Sequence, residues 1–191
     1  EDGTESKGVG AFLGSAGATT EVVFSNCHLV DSHVEGGHWT GGFVGYSAGY
    51  SGSDGSVFQT VKFTGCTVSG STLTGKGSVG ALMGHATGDA WTSVEVKNTS
   101  VTANEVTSTG SSNNKAGALF GTTGAAGTAK NGKTGGIVVE AVVEGNTVKS
   151  NGTQVTTIYG RQGSSEGKLE LTGGCYDNMP IAEGDASWAA P

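Results

Sequence analysis

Three cysteines, four histidines and a scatter of carboxylates are the side chains of this chain best equipped for chemistry. The cysteines are Cys27, Cys66 and Cys175. An odd count without a Cys-x-x-Cys pair excludes a disulfide framework and a four-cysteine zinc site. Metal binding by His28, His33, His38 and His85 would need two or three of them to converge. His28 follows a cysteine that faces inward, and His33 and His38 straddle a corner, so all four read as solvated surface groups. The acids Glu21, Asp31, Asp54, Asp89, Glu95, Glu105, Glu140, Glu144 and Glu170 are dispersed. Glu140 and Glu144 share one strand face at roughly 13 Å, outside the ~5–10 Å of a glycosidase pair. No catalytic set, no metal and no cofactor is assigned. The glycines read as turn residues rather than as a phosphate-binding loop, and the Gly-Gly-x-Gly-x-Asp calcium repeat does not occur.

Aromatic residues mark the best candidate surface. One loop carries Tyr46, Tyr50 and Asp54, and the equivalent loop of the next repeat carries His85, Asp89 and Trp91. Side by side, these residues would form a sugar platform, with rings stacking on a pyranose face and carboxylates taking its hydroxyls. The competing reading folds Tyr50 and Trp91 over their own loops. Rows of Thr-x-Thr suited to ordered water are not seen, because Thr72-Leu73-Thr74 and Thr107-Ser108-Thr109 do not line up.

The elements that position these residues follow from composition and repetition. Glycine is 36 of 191 residues, charged residues are 14%, and proline occurs twice. The net charge of −7 and the lack of a basic stripe exclude a nucleic-acid groove. No run of ~18 apolar residues predicts membrane insertion. With neither an initiator Met nor a signal peptide, the chain reads as a mature form or an excised piece, with neighbouring domains expected.

One motif recurs as Gly10-Ala11-Phe12-Leu13-Gly14, Gly41-Gly42-Phe43-Val44-Gly45, Gly80-Ala81-Leu82-Met83-Gly84, Gly117-Ala118-Leu119-Phe120-Gly121 and Thr156-Thr157-Ile158-Tyr159-Gly160. Its last residues are spaced by 31, 39, 37 and 39 positions. An alternating block follows each copy, starting at Val22, Val61, Val94, Ala141 and Leu169. Gly or Asn at 26, 65, 98, 145 and 173 predicts a turn with positive φ. A weaker third strand holds Ser32–Val34, Ser71–Thr74 and Asn104–Thr107. Stacking predicts an inward column of Phe24, Phe63, Val96, Val143 and Leu171, and another of Cys27, Cys66, Thr99 and Asn146. Cys27 and Cys66 then neighbour each other, and buried free thiols are favoured over a bridge. The doubled apolar pair of each motif predicts a bulge or covering loop that takes both side chains in. Otherwise an exposed apolar row would mark a partner surface.

Three short strands per repeat with glycine corners predict an all-β fold, a right-handed parallel β-helix (β-solenoid) of about five coils, triangular in section. A propeller needs four antiparallel strands per blade, and leucine-rich repeats need a helical segment that is not visible here. The whole of 1–191 reads as one domain, with repeats at about 8–36, 37–75, 76–110, 111–152 and 153–176 and a cap or tail at 177–191. Residues 1–7 are short and polar, so the first edge is expected to need a cover.

The paired blocks resemble the GLUG-motif family of bacterial secreted and surface proteins. Gly41-Gly42-Phe43-Val44-Gly45 and Asn26-Cys27 are the closest matches, over about residues 8–175. Ala replaces the second Gly in three copies, and the last copy lacks the opening Gly. The resemblance implies an extracellular β-helical segment of a larger protein and supplies no catalytic residues. The expected function is non-catalytic: a secreted or cell-surface interaction or adhesion module whose partners are a polysaccharide or a surface protein. The alternative is a carbohydrate-binding or polysaccharide-cleaving β-helix domain.

Overall fold

The computed structural model describes residues 8–17, 21–48, 59–86, 92–111, 115–123, 136–155, 157–162 and 169–177, and their regular structure is entirely β-strand. The first repeat supplies β1 (Gly8–Gly10), β2 (Leu13–Gly17), β3 (Glu21–Ser25), β4 (His28–Val30) and β5 (His33–Glu35). The second supplies β6 (Trp39–Gly41), β7 (Val44–Ala48), β8 (Gln59–Thr64), β9 (Thr67–Ser69) and β10 (Thr72–Gly75). The third holds β11 (Ser78–Gly80), β12 (Met83–His85), β13 (Thr92–Thr102) and β14 (Glu105–Ser108). The fourth holds β15 (Lys115–Gly117), β16 (Phe120–Thr123), β17 (Gly136–Glu144) and β18 (Thr147–Ser150). Last come β19 (Thr153–Val155), β20 (Tyr159–Gln162) and β21 (Leu169–Tyr176).

These strands form four sheets rather than the three that the pattern predicts. Sheet I is β1-β6-β11-β15, sheet II is β2-β7-β12-β16-β20, sheet III is β3-β8-β13-β17-β21 and sheet IV is β5-β10-β14-β18-β19. The short β4 and β9 extend sheet III by pairing with each other and with β13. The pairs between successive repeats are parallel, as Gly8↔Trp39, Val44↔Met83 and Val61↔Val94 illustrate. The exception is β19, which turns back antiparallel on β18 at the end of sheet IV.

The extra sheet comes from the glycine motif. In the four copies that have it, the opening glycine ends a strand of sheet I, and in all five the fourth residue starts a strand of sheet II. The apolar pair therefore straddles a corner between sheets. Alternation along a single strand does not apply, and both side chains turn in. Phe43 and Val44, Leu82 and Met83, Leu119 and Phe120, and Ile158 and Tyr159 are all fully buried. Only in the first copy does the pair reach solvent: Phe12 is 45% exposed and rests flat on Phe43 with ring centroids 4.6 Å apart.

The two glycines of the motif let sheets I and II meet backbone to backbone. A Cβ on Gly84 of sheet II would lie 2.5 Å from the Thr40 nitrogen and 2.8 Å from the Trp39 carbonyl carbon of sheet I. A Cβ on Gly121 would meet the Val79 nitrogen at 2.3 Å. From the other side, a Cβ on Gly80 would lie 2.6 Å from the Gly121 nitrogen. No real Cβ tolerates such contacts with main-chain atoms, so close approach fixes glycine at these positions.

The core columns follow the predicted scheme through three repeats and then depart from it. Phe24, Phe63 and Val96 are in register, with the Phe24 and Phe63 rings stacked 5.2 Å apart. The next member is Val139, followed by Leu171, not the predicted Val143. Val143 instead pairs with Val101. The register shifts between Val96 and Thr99, where β13 carries one residue more than β17, and everything downstream moves with it. Thr99 consequently faces Ala141, and the predicted column member Asn146 lies one corner further on.

At the corner after the first part of sheet III, Asn26, Gly65 and Asn98 have φ of 52°, 63° and 48°. That is the predicted left-handed turn. Gly145 also has positive φ, but it sits beside Ala103, where φ is 55°, at the next corner. In the last repeat the left-handed residue is Gly174, not the predicted Gly173.

That second corner contains a buried polar ladder. The Ser32 amide donates to Ser71 Oγ at 3.1 Å, and the Ser71 amide donates to Asn104 Oδ1 at 3.0 Å. The Asn104 amide donates to Asn146 Oδ1 at 3.0 Å. Asn104 Nδ2 also donates to the Val68 carbonyl and to Asn146 Oδ1, each at 2.9 Å, and Asn146 Nδ2 donates to the Val101 carbonyl at 2.8 Å. Four repeats are thus joined through side chains that stand in for missing strand hydrogen bonds.

Cys27, Cys66 and Cys175 are all free thiols: Cys66 is buried, Cys27 half-buried and Cys175 exposed. Cys175 pairs with Val142 on the outer face of sheet III, which places it outside the Cys27 and Cys66 column. Its thiol is held above the ordinary range by a hydrogen bond with Glu144.

Candidate aromatic recognition site

Sheets I and II meet through their glycines, and at the margin of that contact two columns of side chains face each other. Sheet I contributes Gly8, Trp39, Ser78 and Lys115, in register from repeat to repeat. Sheet II contributes Ser15, Tyr46, His85 and Thr122. Alternation explains the placement. Thr40 and Ser47 are fully buried, so their neighbours Trp39 and Tyr46 emerge at the half-buried margin.

The two columns touch. Trp39 stacks on Tyr46 with centroids 4.4 Å apart and planes 18° from parallel. His85 lies 5.3 Å from Tyr46 and 5.7 Å from Trp39, edge-on to the latter. His38 stands nearly perpendicular to Trp39 at 4.9 Å. One repeat further, Ser78 and Thr122 share a hydroxyl hydrogen bond of 2.7 Å. Rings of this kind bury a large apolar face while keeping polar edges for a ligand.

Of the predicted platform, Tyr46 and His85 are brought into ring contact. Tyr50, Asp54, Asp89 and Trp91 lie outside the described residues. Their attachment is nevertheless clear. The connections from sheet II to sheet III span 18–20, 49–58, 86–91, 124–135 and 163–168, and the two longest leave from the strands that carry Tyr46 and Thr122. The base of the 49–58 connection is fixed: Ser47 Oγ donates to Gln59 Oε1 across it, and Gln59 Nε2 donates to the Ala16 carbonyl at 2.6 Å. Both Ser47 and Gln59 are fully buried.

Two features escape the sequence reading. Trp39, the largest ring of the cluster, lies two residues before the motif, in a segment not recognised as strand. The signal was present in the residues two before each opening glycine, namely Gly8, Trp39, Ser78 and Lys115. The histidines also divide. His28 and His33 are exposed, the latter 3.5 Å from Glu35, whereas His38 and His85 belong to the half-buried aromatic cluster rather than to the solvated surface. Among the described residues no three His, Cys, Asp or Glu side chains converge as a metal site.

Comparison of the chain with protein-family models, with curated proteins and with solved structures finds no match.

Proposed function

We propose that the chain is a non-catalytic recognition module, an adhesion or interaction segment of a secreted or cell-surface bacterial protein. In this reading the parallel sheets are the faces of a right-handed β-helix of about five coils, in keeping with the resemblance to the GLUG-motif proteins. The observation that carries the proposal is the Trp39–Tyr46–His85 cluster, whose Tyr46 and His85 sit on the strands that lead into the connections 49–58 and 86–91. In stacked-repeat proteins, insertions gathered on one side often build the binding face. Rigid strands below and variable loops above are the usual division of labour for recognition.

The test is binding of the full chain to an array of polysaccharides and surface proteins, beside Trp39→Ala and an assay for released reducing ends. Saturable binding that the substitution weakens, without product release, is the expected result. Product release would favour the polysaccharide-cleaving alternative. Silence across the array would overturn the assignment.

A further inference from the structure

The recognition strip changes character along its length, and this is informative about the ligand. It begins with Gly8 and Ser15, which are small. Trp39 and Tyr46 follow, stacked on each other. Ser78 and His85 come next, and then Lys115 and Thr122. The step from the aromatic pair to Lys115 is two repeats, about 10 Å at the spacing of paired strands.

Lys115 differs from the other described lysines. Lys62 is paired with Glu21 at 2.6 Å, Lys149 with Glu105 at 2.7 Å, and Lys97 with Glu95. Lys76 has its own partner. Among the described residues, Lys115 has no side-chain partner, although it is half-buried and the chain carries 17 acids. None of those acids is among the described members of the strip. In a protein of net charge −7, a strip whose described members include no acid and reach an unpaired ammonium at Lys115 departs from the prevailing sign.

Resting on the recognition reading above, we propose that this strip binds an acidic polysaccharide. The polymer runs along the stacking direction of the repeats, with one pyranose on the Trp39–Tyr46 pair and a carboxylate or sulfate further along the chain at Lys115. Half-buried His85 and Thr122 lie between and face the intervening sugar, while Ser78 is buried beneath with its hydroxyl bonded to Thr122. Stacking supplies an apolar contact tolerant of sugar identity, and the lysine supplies selection for charge.

The experiment measures binding of the full chain to polygalacturonate, to its fully methyl-esterified form, to dextran sulfate and to dextran. The esterified polymer keeps the sugar backbone and removes the charge. Binding to at least one acidic polymer, about tenfold tighter than to its neutral counterpart and weakening with salt, is expected. Whichever acidic polymer binds identifies the anion as carboxylate or sulfate. Lys115→Gln should remove most of the preference for the charged polymer, and Trp39→Ala should weaken binding to both members of a pair. Lys115 is a rim residue, so its variant stays folded, and circular dichroism checks that Trp39→Ala does too. Equal binding of charged and neutral polymers, with Lys115→Gln silent and Trp39→Ala impaired, would overturn the acidic ligand and leave recognition standing. No binding to any of the four would overturn the polysaccharide assignment altogether. Binding to surface proteins alone in the wider array would then keep recognition without sugar.

Discussion

Replacing Asn104 by alanine tests whether the polar ladder holds the repeats together. The side chain accepts from the Ser71 amide and donates to the Val68 carbonyl and Asn146 Oδ1, at 3.0, 2.9 and 2.9 Å. It is only 2% exposed, so water does not readily take over its bonds. Three hydrogen bonds at about 1 kcal/mol each give a loss near 3 kcal/mol, and the desolvated groups left behind push it upward. A cooperative domain has roughly 5–15 kcal/mol in total, so this loss is large. The bonds connect the second, third and fourth repeats, so the variant should also unfold less cooperatively. Urea denaturation followed by circular dichroism and by tryptophan fluorescence reads both effects. The midpoint should fall, and the two probes should separate if the coupling is carried by the ladder. Thr107→Ala, on the outer face of the neighbouring strand, is the control and should stay within about 0.5 kcal/mol. A loss below about 1 kcal/mol for Asn104→Ala, with coincident probes, would refute the reasoning. Asn104→Asp sharpens the test. Burial raises the new carboxyl's pKa, so the variant should lose further stability as pH rises through the carboxylate range.

Gly84→Ala forces a methyl group into the main chain of sheet I and should cost at least about 1–3 kcal/mol by the same denaturation assay. Thr40 Oγ1 is buried in an apolar column and finds no hydrogen-bond partner among the described residues, so Thr40→Val should stabilise the fold by about 1 kcal/mol. The Tyr176 phenol donates to the Gly173 carbonyl at 2.7 Å, and burial raises its pKa above the ordinary 10.0. Its contribution is complete below the unfolded value and disappears as pH rises through the folded one. Alkaline loosening of β21, followed by phenolate absorbance and circular dichroism, should therefore shift in Tyr176→Phe.

The repeat, the strand blocks and the first three inward columns were legible because they recur with the same residue types. The fourth repeat was misaligned for a physical reason. Ile137-Val138-Val139 and Ala141-Val142-Val143 alternate equally well, and nothing in the sequence marks which of them faces Val94 and Val96. The extra residue at Lys97–Asn98 is visible only once both strands are paired. The fourth sheet was hidden because the glycine motif reads as a corner, and strands of three residues are too short to show a period. Tyr46 and His85 were singled out for the loops they lead into, whereas Trp39 needed knowledge that sheets I and II oppose each other.

The glycine seam between sheets I and II raises a question about how the chain finds its register. The first four repeats present the same bare backbone there, so a slip of one whole repeat among them would set glycine against glycine again at little cost. The seam cannot distinguish correct from displaced pairing. Discrimination falls to what varies: the stacked Phe24 and Phe63, the Asn104–Asn146 rung and the unequal connections. Those features lie in sheet III, in the connections that lead into it and at its corner with sheet IV. The side of the molecule that packs most closely is therefore the one that carries least information about its own alignment. Kinetic traps in refolding should consist of chains whose seam is perfect and whose outer rungs are mismatched.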